Sequence, residues 1–317
     1  MTTRTVLLTG AAGLVGRAAI DQFVAAGWDV VATDVDGRIE GEPPCPRVLW
    51  TALDVTTMSA EVLAGVDTVV HLGALTLSAE ATTTAQTMLD VNVLGTQRLF
   101  QSAVASDVRR VVWASSAAVY GRPFGNLDGN RVSQLGPFRP ISLYGHTKLM
   151  CEGLAAHHAH KGGTTFVGMR PTFSYGLGRL TGISGRFAQW IADAIEGRPA
   201  VLGPPFGASG RLQLMHVHDL ARSLVACAEL DLGDESDTRA TVLNSPTREL
   251  LTIEQLVQQL IEVTDNAAVS VQQPHVDEEM IMPLMDTATA TDLLGFEQQL
   301  PFRKAVLHMA DELGVAL

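Results

Sequence analysis

Up to about residue 170 the chain alternates short, β-branched apolar runs with longer stretches in which apolar residues recur at helical spacing. The runs fall at 5–9, 29–33, 48–53, 68–72, 110–115 and 164–169. Several are apolar throughout, the pattern of strands covered by helices on both faces, so they predict a parallel sheet built from βαβ units. Two long helical patterns, about 84–106 and 142–161, separate the later strands. Beyond Pro171 the rhythm breaks: Gly and Pro recur from 176 to 210, a strand-like stretch follows near 214–217, and helical patterns return at 252–263 and 301–313.

Composition narrows the function classes. The 317 residues are 46% hydrophobic, enough for a large core, and the net charge of -12 without any Lys/Arg run opposes binding to nucleic acid or an anionic membrane. No apolar run approaches the roughly 20 residues of a membrane span, and the first apolar stretch is interrupted by Thr9, Gly10, Gly13, Gly16 and Arg17. Cys45, Cys151 and Cys227 form no C-x-x-C pair, so neither a disulfide framework nor a metal site is expected, and a cytoplasmic setting fits. His157, His158 and His160 read as a surface cluster, and His216 and His218, alternating on a strand-like stretch, as packing groups on one side of it. Trp50, Trp113 and Trp190 read as core.

The first strand runs straight into Thr9-Gly10-Ala11-Ala12-Gly13-Leu14-Val15-Gly16, with a helical pattern continuing to Ala26. A turn without side chains brings backbone N–H groups and a helix N-terminus against a pyrophosphate. The spacing is G-x-x-G-x-x-G, with Ala11 where the general dinucleotide fingerprint has glycine. Asp34 closes the second strand 18 residues after Gly16, where a carboxylate accepts from ribose hydroxyls and repels a 2′-phosphate. NAD is therefore expected over NADP, with Arg38 close by working against that preference. The fold expected is α/β, a Rossmann-type doubly wound parallel sheet with a smaller interleaved C-terminal substrate domain. The NAD-binding part spans 1–170 plus about 212–240, and the substrate-binding region 171–211 and 241–317.

Tyr144-Gly145-His146-Thr147-Lys148 opens the second long helical pattern and puts Tyr144 and Lys148 on one face. An ammonium beside the phenol and a positive nicotinamide both favour the phenolate, so Tyr144 could take a hydroxyl proton while hydride leaves a carbinol carbon. The strand 110–114 leads into Ser115-Ser116-Ala117-Ala118-Val119-Tyr120-Gly121, and a hydroxyl at the C-terminal end of a parallel strand sits beside the ligand crevice.

Taken with Asp54-Val55, His71-Leu72-Gly73-Ala74, Asn92 to Thr96, Arg170-Pro171 and His216-Val217-His218-Asp219-Leu220-Ala221, these motifs resemble extended short-chain dehydrogenases/reductases of the NAD-dependent epimerase/dehydratase type over nearly the whole chain. The resemblance implies that Tyr144 is the acid/base, that Lys148 binds the nicotinamide ribose, and that Ser116 orients the substrate oxygen. It implies a cofactor site of Gly10, Gly13, Leu14, Val15, Gly16, Asp34, Asp54, Val55, Leu72, Gly73, Ala74, Asn92, Tyr144, Lys148, Pro171 and Phe173. Substrate contacts would come from Leu75, Ser116, Ala117, Phe173, Tyr175 and Arg211, with Arg179 in the same loop as Tyr175. A homodimer through helices 84–106 and 142–161 is also implied.

Three departures from the family bear on the substrate. Ala117 and Ala118 stand where sugar-nucleotide 4,6-dehydratases carry an Asp-Glu pair, which speaks against water loss. Phe173 stands where nucleotide-sugar epimerases often place an asparagine, and Leu212 where they tend to have a diphosphate-holding arginine, Arg211 being one place off. The leading expectation is an NAD-dependent dehydrogenase/reductase acting at a secondary alcohol of a sugar-like or other small hydroxylated molecule. The alternatives are an NAD-dependent (nucleotide-)sugar epimerase, which leaves no net NADH, and a non-catalytic NAD-binding sensor.

Overall fold

A computed structural model describes residues 4–39, 45–121, 131–178, 182–207, 210–232, 239–272 and 283–317. The apolar runs form β1 (Thr5–Thr9), β2 (Asp29–Asp34), β3 (Val48–Ala52), β4 (Thr68–His71), β5 (Arg110–Ala114) and β6 (Thr165–Arg170). With β10 (Ala240–Asn244) they make a seven-stranded sheet in the order β3-β2-β1-β4-β5-β6-β10, every pair parallel. This is the doubly wound Rossmann order extended by one strand, and the order reverses between β1 and β4.

The strands lack polar alternation because both faces are covered. Val6 and Leu8 of β1 join Val70, Val112, Val167 and Met169 under α1 (Leu14–Ala25) and α6 (Val217–Glu229). Leu7 of β1, between them in sequence, joins Val69, Val111, Trp113 and Phe166 under α3 (Thr96–Ala105) and α4 (Leu143–Ala159). The expected helix over 84–106 is α2 (Ala85–Leu89), a π-helical stretch Asp90–Gly95, and then α3. Trp28, Trp113 and Trp190 are fully buried, whereas Trp50 is half-buried.

A second core gathers Phe173, Tyr175, Phe187, Trp190, Phe206 and Phe302. Its frame is β7 (Phe173–Tyr175), β9 (Arg211–His216) and β11 (Leu250–Thr252), a pair of short strands, β8 (Ala200–Leu202) and β12 (Val269–Val271), and the helices α5 (Gly182–Ile195), α7 (Ile253–Thr264) and α9 (Phe302–Leu313). Two elements cross the boundaries read from sequence. β9, expected with the nucleotide-binding part, pairs with β7 and β11, while β10 and Ala290 of α8 (Ala288–Leu294), expected in the C-terminal part, join the large sheet and its core. Short strands of this kind carry too few residues for a period to register.

Glu249, just before β11, accepts the Phe302 N–H at the head of α9 at 2.9 Å from each oxygen. Burial pushes its pKa up from 4.5 to about 7, against the lowering effect of that hydrogen bond. The folded state therefore holds a proton that the unfolded chain releases, and the contribution to stability is lost as pH rises from about 4.5 to about 7. We expect Glu249→Gln to flatten the thermal midpoint over that window relative to the parent, measured by scanning calorimetry at pH 4.5, 6 and 8.

Candidate active site

The order reversal between β1 and β4 opens the crevice in which the site is built. Gly10 has φ +70°, and a Cβ there would lie 2.7 Å from Gly73 N, so the turn after β1 packs directly against the turn after β4. A Cβ on Gly16 would meet Gly10 O at 2.2 Å, which seats the start of α1 under the same turn. Gly13, the N-cap of α1, has no side chain to cap the helix, and the first turn holds no acid. An uncapped helix N-terminus without a competing carboxylate fits the pyrophosphate of a dinucleotide.

Asp34, 8% exposed at the end of β2, accepts from Ala12 N at 3.1 Å and Val35 N at 2.9 Å, and Arg38 approaches its carboxylate at 3.9 Å. It is placed to receive a ribose diol. Hydrogen bonds to charged groups contribute about 1.5–3 kcal/mol, so Asp34→Ala is expected to weaken NAD binding roughly tenfold or more and to narrow the preference over NADP. Fluorescence titration with both nucleotides measures this. Asp54 is exposed and caps the turn Val55–Thr57 through Thr56 N at 2.8 Å, and Val55 is buried against Gly95. Both follow β3, beside Asp34, and neither lines the main cleft.

A polar chain ties this turn to α4, which carries Tyr144 and Lys148. Gly73 N–H donates to Thr9 Oγ1 at 3.2 Å, the Thr9 hydroxyl donates to His71 Nδ1 at 2.7 Å, and His71 Nε2–H donates to Thr96 Oγ1 at 2.9 Å. Thr96 in turn donates to the Asn92 carbonyl at 2.7 Å. The tautomer follows from these partners. Burial, and secondarily the Lys148 charge, hold His71 neutral with a pKa of about 3. Asn92 is buried in the π-helical stretch; its Oδ1 accepts from Leu75 N at 2.8 Å, and its Nδ2 donates to Leu75 O at 2.9 Å and Thr147 Oγ1 at 3.2 Å. Asn92 and Leu75 thus brace the wall, while Leu72, Ala74, Thr76 and Leu77 line the cavity.

That cavity, about 900 Å³, brings together Val15, Ser116, Ala117, Tyr144, Lys148, Pro171 and Phe173. Helix α4 starts at Leu143 because Ser142 accepts from Gly145 N at 3.0 Å, and Glu80 accepts from Leu143 N at 2.9 Å and Tyr144 N at 3.4 Å. Lys148, one turn on, donates to Ala114 O at the end of β5 at 2.8 Å and lies 5.7 Å from the centre of the Tyr144 ring. The two serines after β5 divide their work. Ser115 gives its hydroxyl to Glu152 Oε1 at 2.5 Å, whereas Ser116, among the described residues, only accepts from Ala118 N at 3.1 Å, leaving its proton for a ligand.

Beneath Ser115 lies a buried network. Arg170 pairs with both oxygens of Glu152 at 2.8 Å and donates to the Tyr120 hydroxyl at 2.7 Å, which donates to Asn244 Oδ1 at 2.6 Å. It joins α4, β6, the turn Ala117–Tyr120 and β10, the elements around Ser116, Tyr144 and Lys148. Glu152 lies four residues after Lys148 on the same helix, a spacing that was readable in the sequence; Glu80, from a loop remote in sequence, had no local signal. Arg186 of α5 also lines the cleft, and as a lone cation in a glycine-bearing stretch it carried no pattern.

Two substrate-contact expectations are corrected. Tyr175 has no exposure and packs among Phe187, Phe302 and His216, because β7 turns that side chain into the second core. Arg211 is exposed at the start of β9, outside the cleft lining. Leu212, beside it, is buried in the second core. Arg179 lies outside the described residues. His158 is buried against Phe100 and Gln97, unlike the exposed His157 and His160. β9 ends at His216 and α6 begins at Val217, so His216 and His218 share a side through a helix cap, with rings stacked at 5.3 Å.

Among the described residues no helix is long and apolar enough to cross a membrane. A family model described as the NAD dependent epimerase/dehydratase family matches residues 6–238. A UDP-glucose 4-epimerase of Lactobacillus helveticus is 29% identical over 169 residues, 52% of this chain and 50% of that protein. The chain thus spans about half the length of curated relatives of this kind. The structure of MoeE5 in complex with UDP-glucuronic acid and NAD superposes with a TM-score of 0.79 and 27% identity over 98% of this chain and 99% of that one. A Thermotoga maritima UDP-glucose 4-epimerase shares the fold, with a TM-score of 0.81 and 20% identity over 98% of both chains.

Proposed function

The chain belongs to the NAD-dependent epimerase/dehydratase family and is an NAD-dependent enzyme of the extended short-chain dehydrogenase/reductase type, and on that premise we propose that it epimerises a carbinol carbon of a nucleotide-linked sugar. The observation that carries this reading is the convergence of Ser116, Tyr144 and Lys148 on one cleft beside the glycine turn. The relatives named above supply the substrate class, and Ala117-Ala118, without a carboxylate, disfavours dehydration.

Tyr144 takes the hydroxyl proton as the carbinol carbon is oxidised and returns it when the carbonyl is reduced on its other face. A nicotinamide bound in the cleft supplies the hydride acceptor and then the donor. Ser116 donates its free proton to the substrate oxygen, and Lys148, anchored on Ala114 O, places its ammonium beside the phenol and the ribose hydroxyls. Gly10, Gly13 and Gly16 admit the pyrophosphate and Asp34 the adenine ribose.

A second reading, net dehydrogenation of a smaller, non-nucleotide polyol, draws on Phe173 and Leu212, apolar where diphosphate ligands would stand. Against it, Arg186 offers the cleft a cation. Incubation with NAD and a panel of UDP-sugars and free sugars, followed by NADH absorbance and product chromatography, separates the two. An isomerised nucleotide sugar without net NADH supports epimerisation; NADH accumulating with a free sugar supports the second reading and overturns the first. The homodimer belongs to this proposal, with Leu94 and Met150, 48% and 49% exposed beside α3 and on α4, as its apolar contacts.

A further inference from the structure

We propose that His218, His308 and Glu312 form a binding site for a divalent transition-metal ion, zinc being the best fit, which fastens the C-terminal helix to the helix beneath the active-site cleft. None of the three lines that cleft, and the inference stands independently of the reaction proposed above. His218 lies in the first turn of α6, while His308 and Glu312, four residues apart, share one face of α9.

The Nε2 atoms of His218 and His308 each lie 3.5 Å from Glu312 Oε1, and no pair of the three ligand atoms is farther apart than 4.8 Å. Zinc takes imidazole nitrogen and carboxylate oxygen at about 2.0–2.2 Å in tetrahedral geometry, which separates neighbouring ligand atoms by roughly 3.3–3.5 Å. Two edges of the site therefore already have the required length, and small ring rotations bring the nitrogens together.

Other features point the same way. His308 Nε2 is shielded from solvent and, among the described residues, makes no hydrogen bond, although it lies 3.5 Å from Glu312 Oε1 in the cluster. The rings are already gathered: those of His218 and His308 meet at 4.8 Å, and His216, fully buried, stacks behind His218 and accepts its backbone N–H through Nδ1 at 3.4 Å. Two imidazoles and one carboxylate suit zinc, nickel or copper, whereas magnesium and calcium require an oxygen cage. The three side chains are 24%, 33% and 33% exposed, so an ion can enter and water can complete its shell. Leu220 and Leu224 of α6 line the cleft, so a bond to α9 would brace that wall.

The test is calorimetric titration of the full chain with zinc chloride, and thermal scans with zinc, magnesium or EDTA. Expected are one zinc per chain, a midpoint raised by zinc and not by magnesium, and zinc binding at least about tenfold weaker in both His308→Gln and Glu312→Gln, since outer-shell losses alone cost about 10–100-fold. Glu312→Gln, at a partly exposed position, keeps the test open if His308→Gln does not fold. Replacing the exposed His157 and His160 together by Gln is expected to leave binding unchanged. No zinc heat, or binding that survives both cluster variants, overturns the proposal and leaves the cluster as an ion pair only.

Discussion

Replacing Tyr144 by Phe is expected to lower kcat by about 10²–10⁴, the usual contribution of a positioned general acid/base, with the NAD dissociation constant unchanged. The ring and its backbone are retained, so the caps from Ser142 and Glu80 and the Lys148 anchor on Ala114 O stay in place. Among the described residues none hydrogen-bonds the Tyr144 hydroxyl, so removing it takes only the proton carrier from the cleft. Turnover is measured by product formation and cofactor binding by fluorescence titration. Turnover within about tenfold of the parent would remove Tyr144 from the role of acid/base, and loss of NAD binding in parallel would make its role positional.

The second large effect is on stability. Glu152→Ala leaves Arg170, 3% exposed, without its bidentate partner and Ser115 without its acceptor. Breaking a buried pair on one side costs about 3–5 kcal/mol because the remaining charge stays desolvated. For a chain of this length the average entropy of unfolding converts that to a fall of roughly 5–8 °C in thermal midpoint. Replacing Arg170 and Glu152 together by apolar residues is expected to recover part of the loss, since neither charge is then stranded. Calorimetry on both variants distinguishes this from a general intolerance of substitution at the site.

The site was legible wherever chemistry and local geometry coincide in a short segment. The glycine turn, Asp34, Ser116 and the Tyr144/Lys148 pair were readable because a strand end or one helical turn fixes their placement. Tyr175 misled because it follows a strand in a glycine-bearing stretch, while the direction of its side chain depends on β7 pairing with β9, about forty residues on. Arg211 fell outside the cleft because it stands exposed at the start of β9, whose next residue, Leu212, turns into the second core.

By itself the sequence determined six strands of the large sheet, since runs buried on both faces must be apolar throughout, and it determined the glycine turn, since glycines at 10 and 16 let the turn after β1 pack against the turn after β4 and the start of α1. Tertiary structure alone decided which elements complete each lobe, how Glu80 caps α4 and His71 is tied to it through Thr96 and Asn92, and that His218, on α6, meets His308 and Glu312 of α9. The side-chain contacts among these join segments separated by 25 residues, for His71 and Thr96, to 94, for His218 and Glu312. Local periodicity carries no information about such pairs, because the chain brings them together only when apolar burial has folded both cores.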